Sequence, residues 1–140
     1  MFHSLDVSNT GLVAQRQRMN SIAGNIANIN TTRDSQGKPS PFQRQIVLFQ
    51  AESDTDGSQD GKQIAGVGVR VEVQTDPEAK TRKVPDADHP DAVDGFVSYP
   101  DINLNEEFVN ALEASRAYEA NVAAIEASKA MMTQALRILT

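Results

Sequence analysis

The chain contains no cysteine and no tryptophan. Without thiols it can form neither disulfides nor thiolate metal sites, and its redox compartment is left open. Aromatic residues are 5% of the 140 positions, which denies the chain the bulky side chains that fill a large compact core. No run of eighteen apolar residues occurs, so no membrane span is expected. The opening Met1-Phe2-His3-Ser4-Leu5-Asp6 lacks the basic region and apolar stretch of a cleavable signal peptide. Basic residues are outnumbered, 13 against 19 acids, for a net charge of −6. The N-terminal arginines, Arg16, Arg18 and Arg33, are too few for a phosphate-binding patch, so nucleic acid is not an expected partner.

The residues that chemistry needs are equally sparse. Of two histidines, His3 lies at the terminus and His89 lies in Asp86-Ala87-Asp88-His89-Pro90-Asp91-Ala92-Val93-Asp94-Gly95. A calcium loop of the EF-hand type needs a ligand and then glycine at the fifth and sixth positions, where this segment has Pro90 and Asp91. It reads as a charged turn. The run Ala51 to Lys62 (AESDTDGSQDGK) has almost no apolar residue and lacks a suitably placed glutamate, so it reads as a solvated acidic loop. Gly66-Val67-Gly68 begins like a dinucleotide fingerprint, but residue 71 is valine and a strand pattern follows where a helix is required. No phosphate loop and no nucleophile elbow occur. Catalytic residues, metal ligands and cofactor sites are therefore all expected to be absent, and the chain is not expected to be an enzyme.

What the chain does have is periodicity. Leu104, Ala111, Tyr118, Ile125, Met132 and Leu139 recur every seven residues, and Phe108, Ser115, Val122, Lys129 and Leu136 form a second row four places on. Spacings of three and four place both rows on one helical face. Neither proline nor glycine interrupts the segment. The helix so predicted has about 36 residues and a length of roughly 54 Å, longer than a globule of this size is wide. It must lie against another long element or another subunit.

A weaker heptad fills the first thirty residues. Leu5, Leu12, Met19 and Ile26 form one row, joined by Ile22 and Ile29, while Ser8 and Gln15 spoil the start of the second. Asn30-Thr31-Thr32 and Pro39 are stop signals. Neither terminal helix can bury its stripe alone, so the two are expected to pair as a coiled coil. Charge agrees: residues 1–33 carry +2, residues 104–140 carry −2, and the middle carries −6. Nine alanines in the C-terminal segment, among them Ala111, Ala114 and Ala117, reflect either helix propensity or contact on more than one face.

Between the helices, Phe42 to Phe49 (FQRQIVLF) is a β-rich run and Gly68 to Val73 alternates as a half-buried strand. Thr81 to Val84 reads as a short strand partnering it, and Asp94-Gly95 is a turn before Phe96-Val97-Ser98-Tyr99. The expected fold is mainly α with a small β insert. It has an N-terminal helix unit over 1–33, a β-rich insert over 34–103 with the acidic loop at 51–62, and a long C-terminal helix over 104–140. Asn25 and Asn28, three apart beside the apolar stripe, either bond to a neighbouring subunit's backbone or face solvent near a fraying end.

Two stretches carry a family likeness. Asn25-Ile26-Ala27-Asn28-Ile29-Asn30-Thr31 resembles the N-terminal motif of the bacterial flagellar rod and hook family, and Ser115-Arg116-Ala117-Tyr118-Glu119-Ala120-Asn121-Val122 resembles that family's C-terminal helix. The segments Gly68-Val69-Arg70-Val71, His89-Pro90-Asp91-Ala92 and Asp94-Gly95-Phe96-Val97, with the short insert, point to its proximal rod members. The resemblance implies a structural subunit of the flagellar basal body. Such subunits pass through the flagellar type III export apparatus without a cleaved signal. They then assemble with copies of themselves and with other rod proteins into a periplasmic helical tube that transmits torque and forms part of the export channel. It also implies that the packing residues are Leu5, Leu12, Met19, Ile22, Asn25, Ile26, Asn28, Ile29, Leu104, Phe108, Ala111, Tyr118, Val122, Ile125, Met132, Leu136 and Leu139. The alternative use of the same stripe is a soluble coiled-coil adaptor or export chaperone.

Overall fold

Two long helices at the chain ends bracket two small β hairpins. The computed structural model describes residues 2–52 and 68–138. Apart from Ala51 and Glu52, which end a strand, the acidic loop lies outside the described residues, as does Leu139. Helix α1 spans Phe2–Ala27 and helix α2 spans Leu104–Ile138. Strand β1 (Gln45–Glu52) pairs antiparallel with β2 (Gly68–Thr75), and β3 (Thr81–Pro85) with β4 (Phe96–Pro100). The alternating segment at Gly68 is thus a strand as expected. Its partner, however, is β1; Thr81–Val84 pairs with β4 instead.

Local chemistry fixes the element ends. Asn103 caps α2: its Oδ1 accepts the Asn105 N–H at 3.0 Å, and its amide donates to Glu106 Oε1 at 3.3 Å. This is a variant of the capping box. Glu106 and Glu107 in the first turn and Arg137 in the last complement the helix dipole. At the end of α1, the Asn28 amide donates to the Gly24 carbonyl at 2.8 Å and its Oδ1 accepts from the Thr31 hydroxyl at 3.1 Å. Asp94 (φ 53°) and Gly95 (φ 80°) both lie in the left-handed region, and Val93 and Phe96 exchange backbone hydrogen bonds across them at 2.9 and 3.0 Å. That is the two-residue hairpin turn expected from Asp-Gly.

The helices run antiparallel along one seam. Gly11 sits against Asn121, Arg18 against Asn110 and Glu113, and Asn25 against Glu107. On α2 the row Ala111, Tyr118, Ile125, Met132 is half-buried. The second row differs. Phe108 (57% exposed) and Leu136 (60%) point away from α1, and Leu104, the first member of the other row, is also exposed. Their place is taken by the row one residue earlier: Glu107, Ala114, Asn121, Ser128 and Ala135, none of them exposed. Close approach explains the substitution. A Cβ on Gly11 would stand 3.0 Å from the Asn121 amide nitrogen, and Ala14 and Ala114 are both fully buried. Helices this near each other admit small side chains at the contact and turn large apolar ones to the flank.

Helix α1 is also pinned to opposite ends of the first hairpin. Thr10 Oγ1 accepts the Val69 N–H at 3.1 Å and donates to the Val7 carbonyl at 2.8 Å. Gly68 is buried directly against it; a Cβ there would lie 2.9 Å from Thr10 Oγ1 and 3.0 Å from Cγ2. Gly68→Ala is therefore expected to force the strand off the helix at a cost of about 1–3 kcal/mol. Thermal denaturation checks this, and an unchanged melting temperature would show that the hairpin rests on the helix only loosely.

Among the described residues, strands β3 and β4 make no close backbone approach to either helix or to β1 and β2, and the hairpin is held by the 31–41 loop. Val97, fully buried, sits there with Pro39, Pro41 and Thr32. The clamp is Asp91, which accepts from the Thr32 hydroxyl at 2.8 Å and from Arg33 Nε at 2.6 Å. Its own backbone N–H donates to His89 Nδ1 at 3.1 Å. Burial pushes the Asp91 carboxyl up, but the Thr32 hydrogen bond, Arg33 and His89 together hold it below the ordinary aspartate value. A carboxyl lowered in this way contributes stability above the ordinary aspartate range, which is lost as pH falls through the depressed folded value. An acid titration followed through the NMR signals of Val97 and Tyr99 is expected to show the hairpin leaving its loop in that window. In Asp91→Asn the hairpin is loosened at every pH; an acid transition persisting unchanged there would assign it to another group.

Candidate functional site

The structural centre of the molecule is a polar joint where α1, α2 and the first strand converge. Two of the three largest fully buried side chains are polar, Glu107 and Asn25, each about 1% exposed. Asn25 behaves as a piece of strand: its Oδ1 accepts the Gln45 N–H at 2.8 Å and its amide donates to the Gln45 carbonyl at 2.9 Å. It thereby completes the free edge of β1 with side-chain atoms. The same amide donates to Glu107 Oε2 at 3.1 Å. Arg44, one residue before β1, closes the joint from the third side, with Nε at 2.8 Å and Nη2 at 2.6 Å from Glu107 Oε1. Asp76 lies 3.5 Å from Arg44 Nη1. Burial opposes the charge on Arg44, but the hydrogen bonds and charge of Glu107 outweigh it and raise the guanidinium pKa. Beside the joint a cavity of 220 Å³ is lined by Arg18, Ser21 and Asn110.

Asn25 is thus buried and bonded to Gln45 and Glu107 of its own chain, and Asn28 caps its own helix. Of the remaining residues expected to pack, Ile22 is buried; Leu5, Leu12, Met19, Ile26, Ile29, Ala111, Tyr118, Val122, Ile125 and Met132 are half-buried. Sequence reasoning missed Glu107 and Arg44. The available signal was the α2 row offset by three, where a charge heads a series of small residues.

Buried apolar residues among those described are few and modest: Ala14, Ile22, Val97, Ile102 and Ala114. Large ones stand outside. Leu104, Phe108, Val109 and Leu112, spaced four, one and three apart, form an exposed stripe on α2, and Val13 and Phe49 are exposed beside the first hairpin. No described helix is long and apolar enough to cross a membrane, and no group of acids and histidines among the described residues is placed to hold a metal ion. Paired terminal helices, a polar joint and an exposed apolar stripe are features of a structural or interaction protein rather than of a catalytic pocket.

Comparison with known proteins agrees. Residues 5–33 match the family model described as flagella basal body rod protein, and residues 93–138 match the C-terminal model of the flagellar basal body rod FlgEFG proteins. The chain is 38% identical to the flagellar basal-body rod protein FlgC of Bacillus subtilis (strain 168), over 98% of this chain and 97% of that one. It is 37% identical to FlgC of Borreliella burgdorferi over 99% and 97%, and 30% identical to that of Escherichia coli O6:H1 over 99% and 97%. The chain belongs to the FlgC family of flagellar basal-body rod proteins. It is a structural subunit of the basal-body rod and not an enzyme.

Proposed function

We propose that this chain is a proximal rod subunit that completes its hydrophobic core by packing against its neighbours in an open helical tube. The observation that carries the reading is the exposed stripe Leu104, Phe108, Val109 and Leu112 on α2. Full burial of such a side chain is worth about 1.5–3 kcal/mol, and with 40–58% of each still exposed the single chain forgoes roughly half of that. The helix pair continues as a coiled coil into contacts with copies of itself and other rod proteins, and contacts of this head-to-tail kind build a tube when the rotation does not close. The tube transmits torque and surrounds part of the export channel. An N-terminal helix with Ser8 and Gln15 in its stripe is marginal alone, which suits passage in extended form through the type III export apparatus, without a cleaved signal, to a periplasmic assembly site.

Electron cryotomography of basal bodies in cells lacking this chain tests the assignment. The expected result is a membrane ring without rod, hook or filament, restored by the wild-type gene. Normal basal bodies in the deletion strain would overturn it.

A further inference from the structure

One row of the helix seam repeats small residues along its length. On α2, Ala114, Asn121, Ser128 and Ala135 recur every seven residues; on α1, Ala14, Ser21 and Asn28 do the same. Sliding α2 by one heptad, about 10 Å at 1.5 Å per residue, keeps small or amide side chains at most contacts of this row, while the flanking row exchanges Ala111, Tyr118, Ile125 and Met132 for one another. The small row by itself does not choose between such registers. Only one member of the α2 row breaks the series, and that is Glu107.

From this we infer that the Asn25–Glu107–Arg44 joint is a register lock, and that the first hairpin is its third component. Glu107 receives donors from two other elements at once, Asn25 on α1 and Arg44 at the start of β1. Asn25 in turn holds both backbone groups of Gln45. A slip in one direction carries Glu107 past the end of α1, away from both Asn25 and Arg44. A slip in the other brings it to Arg18, which supplies one guanidinium but leaves Asn25 without its carboxylate and Arg44 with Asp76 alone. Each wrong register therefore takes a member of the joint from its partners, while the right one pairs Asn25, Glu107 and Arg44 together. A buried polar group that fixes register at little net gain in stability is an attested use of such contacts.

The cysteine-free sequence gives the test a clean background. In the purified full-length chain, Gly11→Cys with Asn121→Cys reports the native register, since these positions touch. Gly11→Cys with Ala114→Cys and Gly11→Cys with Ser128→Cys report the two slipped registers. With the joint intact, only the native pair is expected to oxidise to an intrachain disulfide. With Glu107→Leu and Arg44→Met added, which keep the volume but remove the polarity, the ratio of offset to native cross-link is expected to rise roughly tenfold or more. Glu107→Gln provides a milder variant should that one not accumulate, and a smaller rise in the same ratio is expected from it. Native-pair selectivity unchanged in both variants overturns the lock. So does loss of cross-linking in every register in both, which would make the joint a support of the fold rather than a chooser of register. Offset pairs oxidising freely with the joint intact would overturn it as well.

Discussion

Replacing Phe108 and Leu112 together by aspartate is expected to abolish rod assembly and swimming while the isolated chain keeps its fold. Both side chains are more than half exposed and lie outside the helix seam, so within one chain the change removes little packing. The cost there is the lower helix propensity of aspartate, about 0.5 kcal/mol at each position. In the rod the same two positions would meet a neighbour. Assembly would forfeit roughly half of the 1.5–3 kcal/mol that full burial of each side chain supplies, since each is already partly covered, and would have to desolvate two carboxylates. Motility in soft agar and the melting temperature of the purified chain together decide it. A swimming strain would show that the α2 stripe is not an assembly surface; a chain that melts much lower would show that the stripe serves the fold itself. Ile125→Asp and Met132→Asp, by contrast, strike the half-buried seam and should damage the helix pair as well as the rod.

Glu107→Ala is expected to be the most destabilising single change in the chain. It takes the acceptor from both Arg44 donors and from the Asn25 amide in a place with almost no access to water. Breaking a buried pair by removing one partner costs about 3–5 kcal/mol; Arg44 is partly exposed and keeps Asp76 nearby, which favours the lower end. For a chain of this length about 3 kcal/mol corresponds to a fall of roughly 10 °C in melting temperature. The neighbouring Glu106 is exposed, accepts from the capping residue Asn103 at 3.3 Å and acts on Arg44 only as a more distant charge than Glu107, so Glu106→Ala is the control and should change stability by no more than about 0.5 kcal/mol. Equal effects of the two would show that the Glu107 carboxylate is solvated. Arg18 with Glu113, at 3.1 Å but with the glutamate 62% exposed, is the opposite kind of ion pair and should matter little.

The helices, the strand at Gly68 and the Asp94-Gly95 turn could be read directly, because each depends on neighbours in sequence. Heptad spacing, alternation and backbone preference at a turn are local properties. The family likeness was legible for the same reason, since its motifs are contiguous. The pairing of β1 with β2 was not legible, because strand partners are selected by which hydrogen-bonding edges meet, and a run of β-formers carries no address. The row of α2 that enters the seam was misjudged for a physical reason. Hydrophobic patterning selects the apolar row with Phe108 and Leu136, whereas closely spaced helices admit the small row headed by Glu107. The role of Asn25 lay equally beyond reach, because its partners Gln45 and Glu107 are 20 and 82 residues away. The sequence by itself determined the two helices, their apolar surfaces and the membership of a rod family. Only the tertiary structure decided which surface is spent inside the chain and which is left for neighbours, because that choice depends on how near the two backbones come.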